Sequence, residues 1–107
     1  MDETSAKRLA HDMALADGIS ELHGYEWTSS RFTDGWLVTL RPSDPLASTG
    51  GHHFIVLDTG AVFRETGSLP PFEYVTKHSA AGNKLILAVE GGRLLLNRDG
   101  EVEFQPL

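Results

Sequence analysis

The sequence predicts an α+β fold: a twisted, mostly antiparallel sheet with an N-terminal helix and a short second helix on one face. Two kinds of periodicity and one kind of punctuation lead there. Apolar residues keep helical spacing near the N-terminus, at Ala6, Leu9, Ala10 and Met13. Elsewhere they alternate, or form runs no longer than a strand, as in Phe54 to Leu57 and Leu85 to Val89. Gly, Pro, Asp and Ser divide these runs at short intervals. The expected order is α-β-β-β-β-α-β-β-β in a single domain over residues 1–107, in layers around one core.

The first helix needs a cap, which Thr4 or Ser5 can supply, and Gly18 suits a left-handed stop after Asp17. Its apolar stripe is rich in alanine, so the helix should lie close against a sheet. Leu22 to Ser29, with Tyr25 and Trp27 in alternation, reads as the first strand, and Ser30 to Asp34 as a turn. Trp36, Val38 and Leu40 alternate with Leu37, Thr39 and Arg41, which gives a second strand with one clear core face. Pro42-Ser43-Asp44-Pro45 ends it and opens a loop that runs through Gly51.

His53 to Asp58 is the third strand. Asp58-Thr59-Gly60 turns the chain into Ala61 to Glu65, with Gly60 at a positive φ. Pro70-Pro71 can occupy a first helical turn, and Phe72 to His78 reads as a helix with Phe72 and Val75 inward. Ala80-Ala81-Gly82-Asn83 stops it. Lys84 to Glu90 and Arg93 to Asn97 flank Gly91-Gly92, read as a two-residue hairpin turn. Arg98-Asp99-Gly100 turns again into Glu101 to Gln105. Both faces of Leu85-Ile86-Leu87 and Leu94-Leu95-Leu96 are apolar, so those strands should be covered on both sides, by helix on one and by a neighbour or partner on the other.

Composition narrows the function. The chain has no cysteine, which removes disulfides and thiolate chemistry. No apolar run approaches the roughly 20 residues a membrane helix needs, and Met1 to Ser5 does not resemble a signal peptide. A cytoplasmic location is expected, with no membrane partner. Fifteen acidic residues against nine basic give a net charge of −6 and no basic stripe, which disfavours nucleic acid. An acidic surface suits either solubility or a basic protein partner.

No catalytic or metal-binding constellation stands out. Of His11, His23, His52, His53 and His78, the adjacent pair His52-His53 points to opposite faces of a strand, and none keeps a zincin spacing. No serine sits in a nucleophile elbow. Asp58-Thr59-Gly60 resembles half of an aspartic-protease site, but that chemistry needs two carboxylates sharing a proton. The expectation is therefore no enzyme, no cofactor and no metal. Trp27 and Trp36 read as core residues, with interface anchoring as the alternative.

Gly35-Trp36, Gly51, Phe54-Ile55-Val56, Asp58, Gly60 and Tyr74 carry a further pattern: a Gly-Trp strand, a Gly-led apolar strand, an Asp–Gly turn and a helix bearing Tyr. Over residues 34–74 this order resembles the bacterial immunity protein 35 family, which includes the YrhB-domain proteins. Two positions depart from it. His53 stands where the family often has proline, and Asp58 and Gly60 are one residue closer than the commoner spacing.

The resemblance implies a small binding protein that occludes a cognate toxin, expected to be basic, as a monomer or homodimer. It assigns no contact residue. Acidic residues expected in solvent make Asp34, Glu90, Asp99, Glu101 and Glu103 the candidate partner-binding positions. Alternation turns Val102 and Phe104 inward and leaves Glu101 and Glu103 outward, where edge protection is the equal alternative. A small-ligand domain would instead draw on His23, Tyr25, Arg41 and His53 around a pocket, and a structural homodimer on the leucine-rich strands.

Overall fold

The computed structural model describes residues 1–18, 25–42, 51–66, 72–96 and 102–107, apart from the side chains of Tyr25, Pro42 and Phe72. The expected loop over Ser43 to Gly50, the Pro70-Pro71 helix opening and the Arg98-Asp99-Gly100 turn lie outside them. The elements run α1 (Glu3–Ala16), β1 (Tyr25–Phe32), β2 (Gly35–Pro42), β3 (His52–Leu57), β4 (Val62–Arg64), α2 (Phe72–Ala80), β5 (Leu85–Val89), β6 (Gly92–Leu96) and β7 (Val102–Pro106). The α+β class and the element order are those expected, and every strand pair is antiparallel.

Helix α1 starts earlier than its serine and threonine suggest. The Asp2 carboxylate, not Thr4 or Ser5, caps it by accepting the Ser5 backbone N–H at 2.8 Å. A carboxylate suits the positive end of the helix dipole as well as the orphan donor, so aspartate wins the position. Gly18 follows the last turn with φ +87°, as its sequence position predicts. Ala6, Ala10 and Ala14 form the fully buried stripe, flanked by half-buried Leu9 and Met13. They pack on Val38, Leu40, Phe54 and Val56, and small side chains let the helix backbone approach the sheet closely.

The strands form two sheets where one was expected, in the orders β1-β2-β3-β4 and β5-β6-β7. Among the described residues a Glu65–Val89 bridge links them, with the Glu90 N–H donating to the Arg64 carbonyl at 2.7 Å and the Thr66 N–H to the Ala88 carbonyl at 3.2 Å. The second sheet folds over the first. Leu85, Leu87, Val89, Leu94 and Leu96 share one apolar cluster with Phe32, Leu37, Ile55 and Leu57.

Val75 of α2 joins that same cluster. The two helices therefore lie against opposite faces of the first sheet, not on one face. The reason is in β2 and β3. Leu37 and Ile55 face one way and Val38, Phe54 and Val56 the other, and all are fully buried. A sheet apolar on both faces must be covered on both.

The opposite holds for β5. Its Leu85, Leu87 and Val89 are buried, but Ile86 is 55% exposed, so within the chain β5 is covered on one side. Leu95 of β6 is buried yet belongs to neither apolar cluster.

The β5–β6 turn also differs. Val89 pairs with Gly92, so Glu90 and Gly91 form the turn and Gly91 alone has a positive φ, +85°. Gly92 is already in β6, where an added Cβ would collide with the Gln105 carbonyl oxygen of β7. Its role is close strand approach, not turn geometry.

Candidate functional site

Cross-strand register organises the inner face of the first sheet into rows. One row sets Ser30, Leu37, Ile55 and Phe63 side by side and feeds the apolar cluster. The next sets Thr28, Thr39 and His53 together, and beyond it Glu26 stands opposite Arg41 at the Gly51 end of β3. The face thus changes from apolar to hydrogen-bonding within a few residues. There a cleft of about 420 Å³ opens, lined among the described residues by Thr28, Thr39, Arg41, Gly51 and His53.

Each lining group has a structural reason. Thr39 is 4% exposed, and its hydroxyl lies 3.0 Å from His53 Nδ1. A buried hydroxyl must donate somewhere, and the Nδ1 lone pair accepts when the imidazole proton sits on Nε2. Burial, then the positive charges of His52 and Arg41, hold the His53 pKa below its ordinary value. Both causes favour the neutral ring, and in the tautomer whose Nδ1 accepts from Thr39 the remaining N–H is on Nε2. Gly51 leaves space for its neighbour: a Cβ there would lie 2.6 Å from the Leu40 carbonyl oxygen and 3.5 Å from the Arg41 side chain. Among the described residues the exposed Arg41 guanidinium has neither an ion-pair nor a hydrogen-bond partner.

The other face carries different polar groups. Arg64 donates to His52 Nδ1 at 3.0 Å and pairs with Asp17 of α1 at 3.3 Å. His52 and His53 thus point apart, as their adjacency requires. Among the described residues no cluster of His, Asp or Glu could hold a metal ion. His78 stacks on Tyr74 with ring centroids 3.9 Å apart, and His11 lies 5.9 Å from Trp27.

Asp58 is a scaffold carboxylate. Arg31 reaches it with both terminal nitrogens, at 2.6 and 2.8 Å, while its guanidinium lies 5.6 Å from the Trp36 ring centroid. The Arg31 hydrogen bonds hold the Asp58 pKa below the usual carboxylate range. Gly60 turns the chain at φ +95°, and the Asp58 N–H donates to the Asp34 carbonyl at 2.9 Å. Trp27 and Trp36 are both half-buried against the α1 cluster, and Trp36 Nε1 donates to the Met1 carbonyl at 3.1 Å.

The acidic candidates stand at separate places in the fold. Asp34 is half-buried in the β1–β2 turn, where burial first and the Asp58 charge second raise its pKa. Glu90 is exposed in the β5–β6 turn. Glu103 is exposed on β7, in one cross-strand row with Ile86 and Leu95. Asp99 and Glu101 lie outside the described residues. On the inner side of the same strand Val102 packs on the core, and the Phe104 ring, 41% exposed, lies 5.3 Å from that of Phe63.

Of the pocket candidates, Arg41 and His53 come together in the cleft. His23 and the Tyr25 side chain lie outside the described residues. Sequence reading missed Thr28, Thr39 and Gly51. Thr39 alternates as a strand residue on what read as the outer face, and only the β1–β2 register sets Thr28 beside it. A two-residue turn at Thr33-Asp34 was the signal that would have fixed that register.

Comparisons with family models, with curated proteins and with solved structures give no match to this chain. No helix among the described residues is long and apolar enough to cross a membrane.

Proposed function

We propose that the chain is a small binding protein of immunity type, which neutralises a cognate basic toxin by covering its functional surface. The observation that carries this reading is the outward row of the second sheet. There Ile86 is 55% exposed beside buried Leu95, with the exposed carboxylate of Glu103 at the edge strand. An apolar centre with a charged rim is the usual anatomy of a protein interface. The net charge of −6 and the resemblance over residues 34–74 support a basic partner of toxin type. The rim would include Glu103, with Glu90 in the adjoining β5–β6 turn, whereas Asp34 stands apart in the first sheet.

The test is capture followed by rescue. Tagged protein from its native host should recover one basic protein in stoichiometric amount, identified by mass spectrometry. That protein should arrest growth when expressed alone, and co-expression of this chain should relieve the arrest. Combining Ile86→Arg with Glu103→Lys should abolish relief without unfolding the chain. Recovery of only the chain itself, while such a neighbour is expressed, would remove the toxin reading and favour a homodimer.

A further inference from the structure

We propose that the cleft lined by Thr28, Thr39, Arg41, Gly51 and His53 is a binding site for a small oxyanion, the carboxylate or phosphate group of a small-molecule ligand. The inference does not depend on the toxin reading, which uses the second sheet.

The site presents donors. Arg41 contributes a fork of N–H groups with no ion-pair or hydrogen-bond partner among the described residues. The Thr39 hydroxyl lies 3.0 Å from His53 Nδ1, which leaves Thr39 as a positioning residue that holds the ring's orientation. In the tautomer whose Nδ1 accepts from Thr39, His53 offers Nε2–H to a ligand. Thr28, directly across from Thr39, adds an exposed hydroxyl. Planar guanidinium donors match the paired oxygens of a carboxylate or phosphate, and charge-assisted bonds are the stronger kind.

The volume of about 420 Å³ lies within the ordinary range for small-molecule sites. Gly51 keeps the space beside Arg41 open, since any side chain there would meet the Leu40 carbonyl and the Arg41 stem. One carboxylate stands nearby. Glu26 is the cross-strand neighbour of Arg41. Its charge opposes a bare anion and sets the affinity low.

The test is an NMR titration of the full chain at constant ionic strength, with inorganic phosphate and acetate as separate probes. Saturable shifts are expected at the Thr28 and Gly51 amides, the His53 ring and Arg41 Nε–H. The dissociation constant should be on the order of 1 mM. Arg41→Gln should weaken binding by about tenfold or more, the loss expected for a charged hydrogen bond. Glu26→Gln should tighten it, and Arg93→Gln on β6 should leave it unchanged.

Unfolding curves of the variants serve as the control for structure. Saturation by phosphate alone would assign a phosphate ligand, and by acetate alone a carboxylate. The proposal is overturned if neither probe saturates, if the shifts map to another surface, or if Arg41→Gln and Arg93→Gln bind alike.

Discussion

Replacing Ala10 by leucine tests the close packing of α1 on the first sheet. Ala10 is fully buried between Ala6 and Ala14, against Val38, Leu40, Phe54 and Val56, each of which is also fully buried. Leucine and alanine have similar helix propensity, so the change reports packing and little else. The added isopropyl group must be accommodated among side chains that are already fully buried. It must leave its preferred rotamer or push α1 outward, which uncovers Ala6, Ala14 and the sheet face together. Overpacking costs about 1–3 kcal/mol, and a helix packed through alanine belongs at the upper end, about 3 kcal/mol. Urea unfolding should show this as a lower midpoint at unchanged slope. Each kcal/mol should also lower the melting temperature by about 4–8 °C. The same substitution at Ala16, which is exposed, should stay within about 0.5 kcal/mol of wild type. If the two variants unfold alike, the close helix–sheet contact is refuted.

Two further perturbations follow from the glycine and carboxylate geometry. Gly92→Ala forces β6 away from the Gln105 carbonyl and should destabilise more than Gly91→Ala, whose cost is the positive φ, about 1 kcal/mol; equal urea midpoints would contradict this. Asp34→Asn should raise the midpoint at neutral pH. The raised Asp34 pKa means its favourable contribution is complete below about pH 4 and is lost as pH rises through the folded-state value, so the gain should vanish in acid. Asp58 has the opposite sign: its lowered pKa stabilises above about pH 4 and is lost as pH falls through the folded-state value. Because the Arg31–Asp58 pair is more than a third exposed, Asp58→Asn should cost no more than about 1 kcal/mol at neutral pH. A lower midpoint for Asp34→Asn at neutral pH would show that its carboxylate is stabilised by contacts, not penalised by burial.

Elements with a local cause were legible in the sequence, and arrangements set by distant partners were not. Gly18 and Gly60 announce their positive φ because only the adjacent chain must accommodate it. The strands announce themselves by alternation. Which faces are covered depends on partners far along the chain, so Leu37 reads as an outer-face residue although the second sheet packs on it. Ile86 shows the same dependence, since among the described residues of the chain nothing covers it. The cleft was half legible. Arg41 and His53 drew attention by chemistry, whereas Thr28, Thr39 and Gly51 matter through register and space, which residue type alone does not encode.

Each sheet is a plain meander in which every neighbouring strand is also the next in sequence. Hairpins of that kind close short loops and need little chain entropy to nucleate, which favours rapid formation. During synthesis β1 to β4 are complete before β5 leaves the ribosome, so α1 can shield one side of the first sheet early. The other side, with Leu37 and Ile55, is covered first by α2 through Val75 and completed only when the leucines of β5 and β6 arrive. The nascent chain therefore passes through a stage with a large sticky surface, and chaperone dependence should track truncations that remove the second meander.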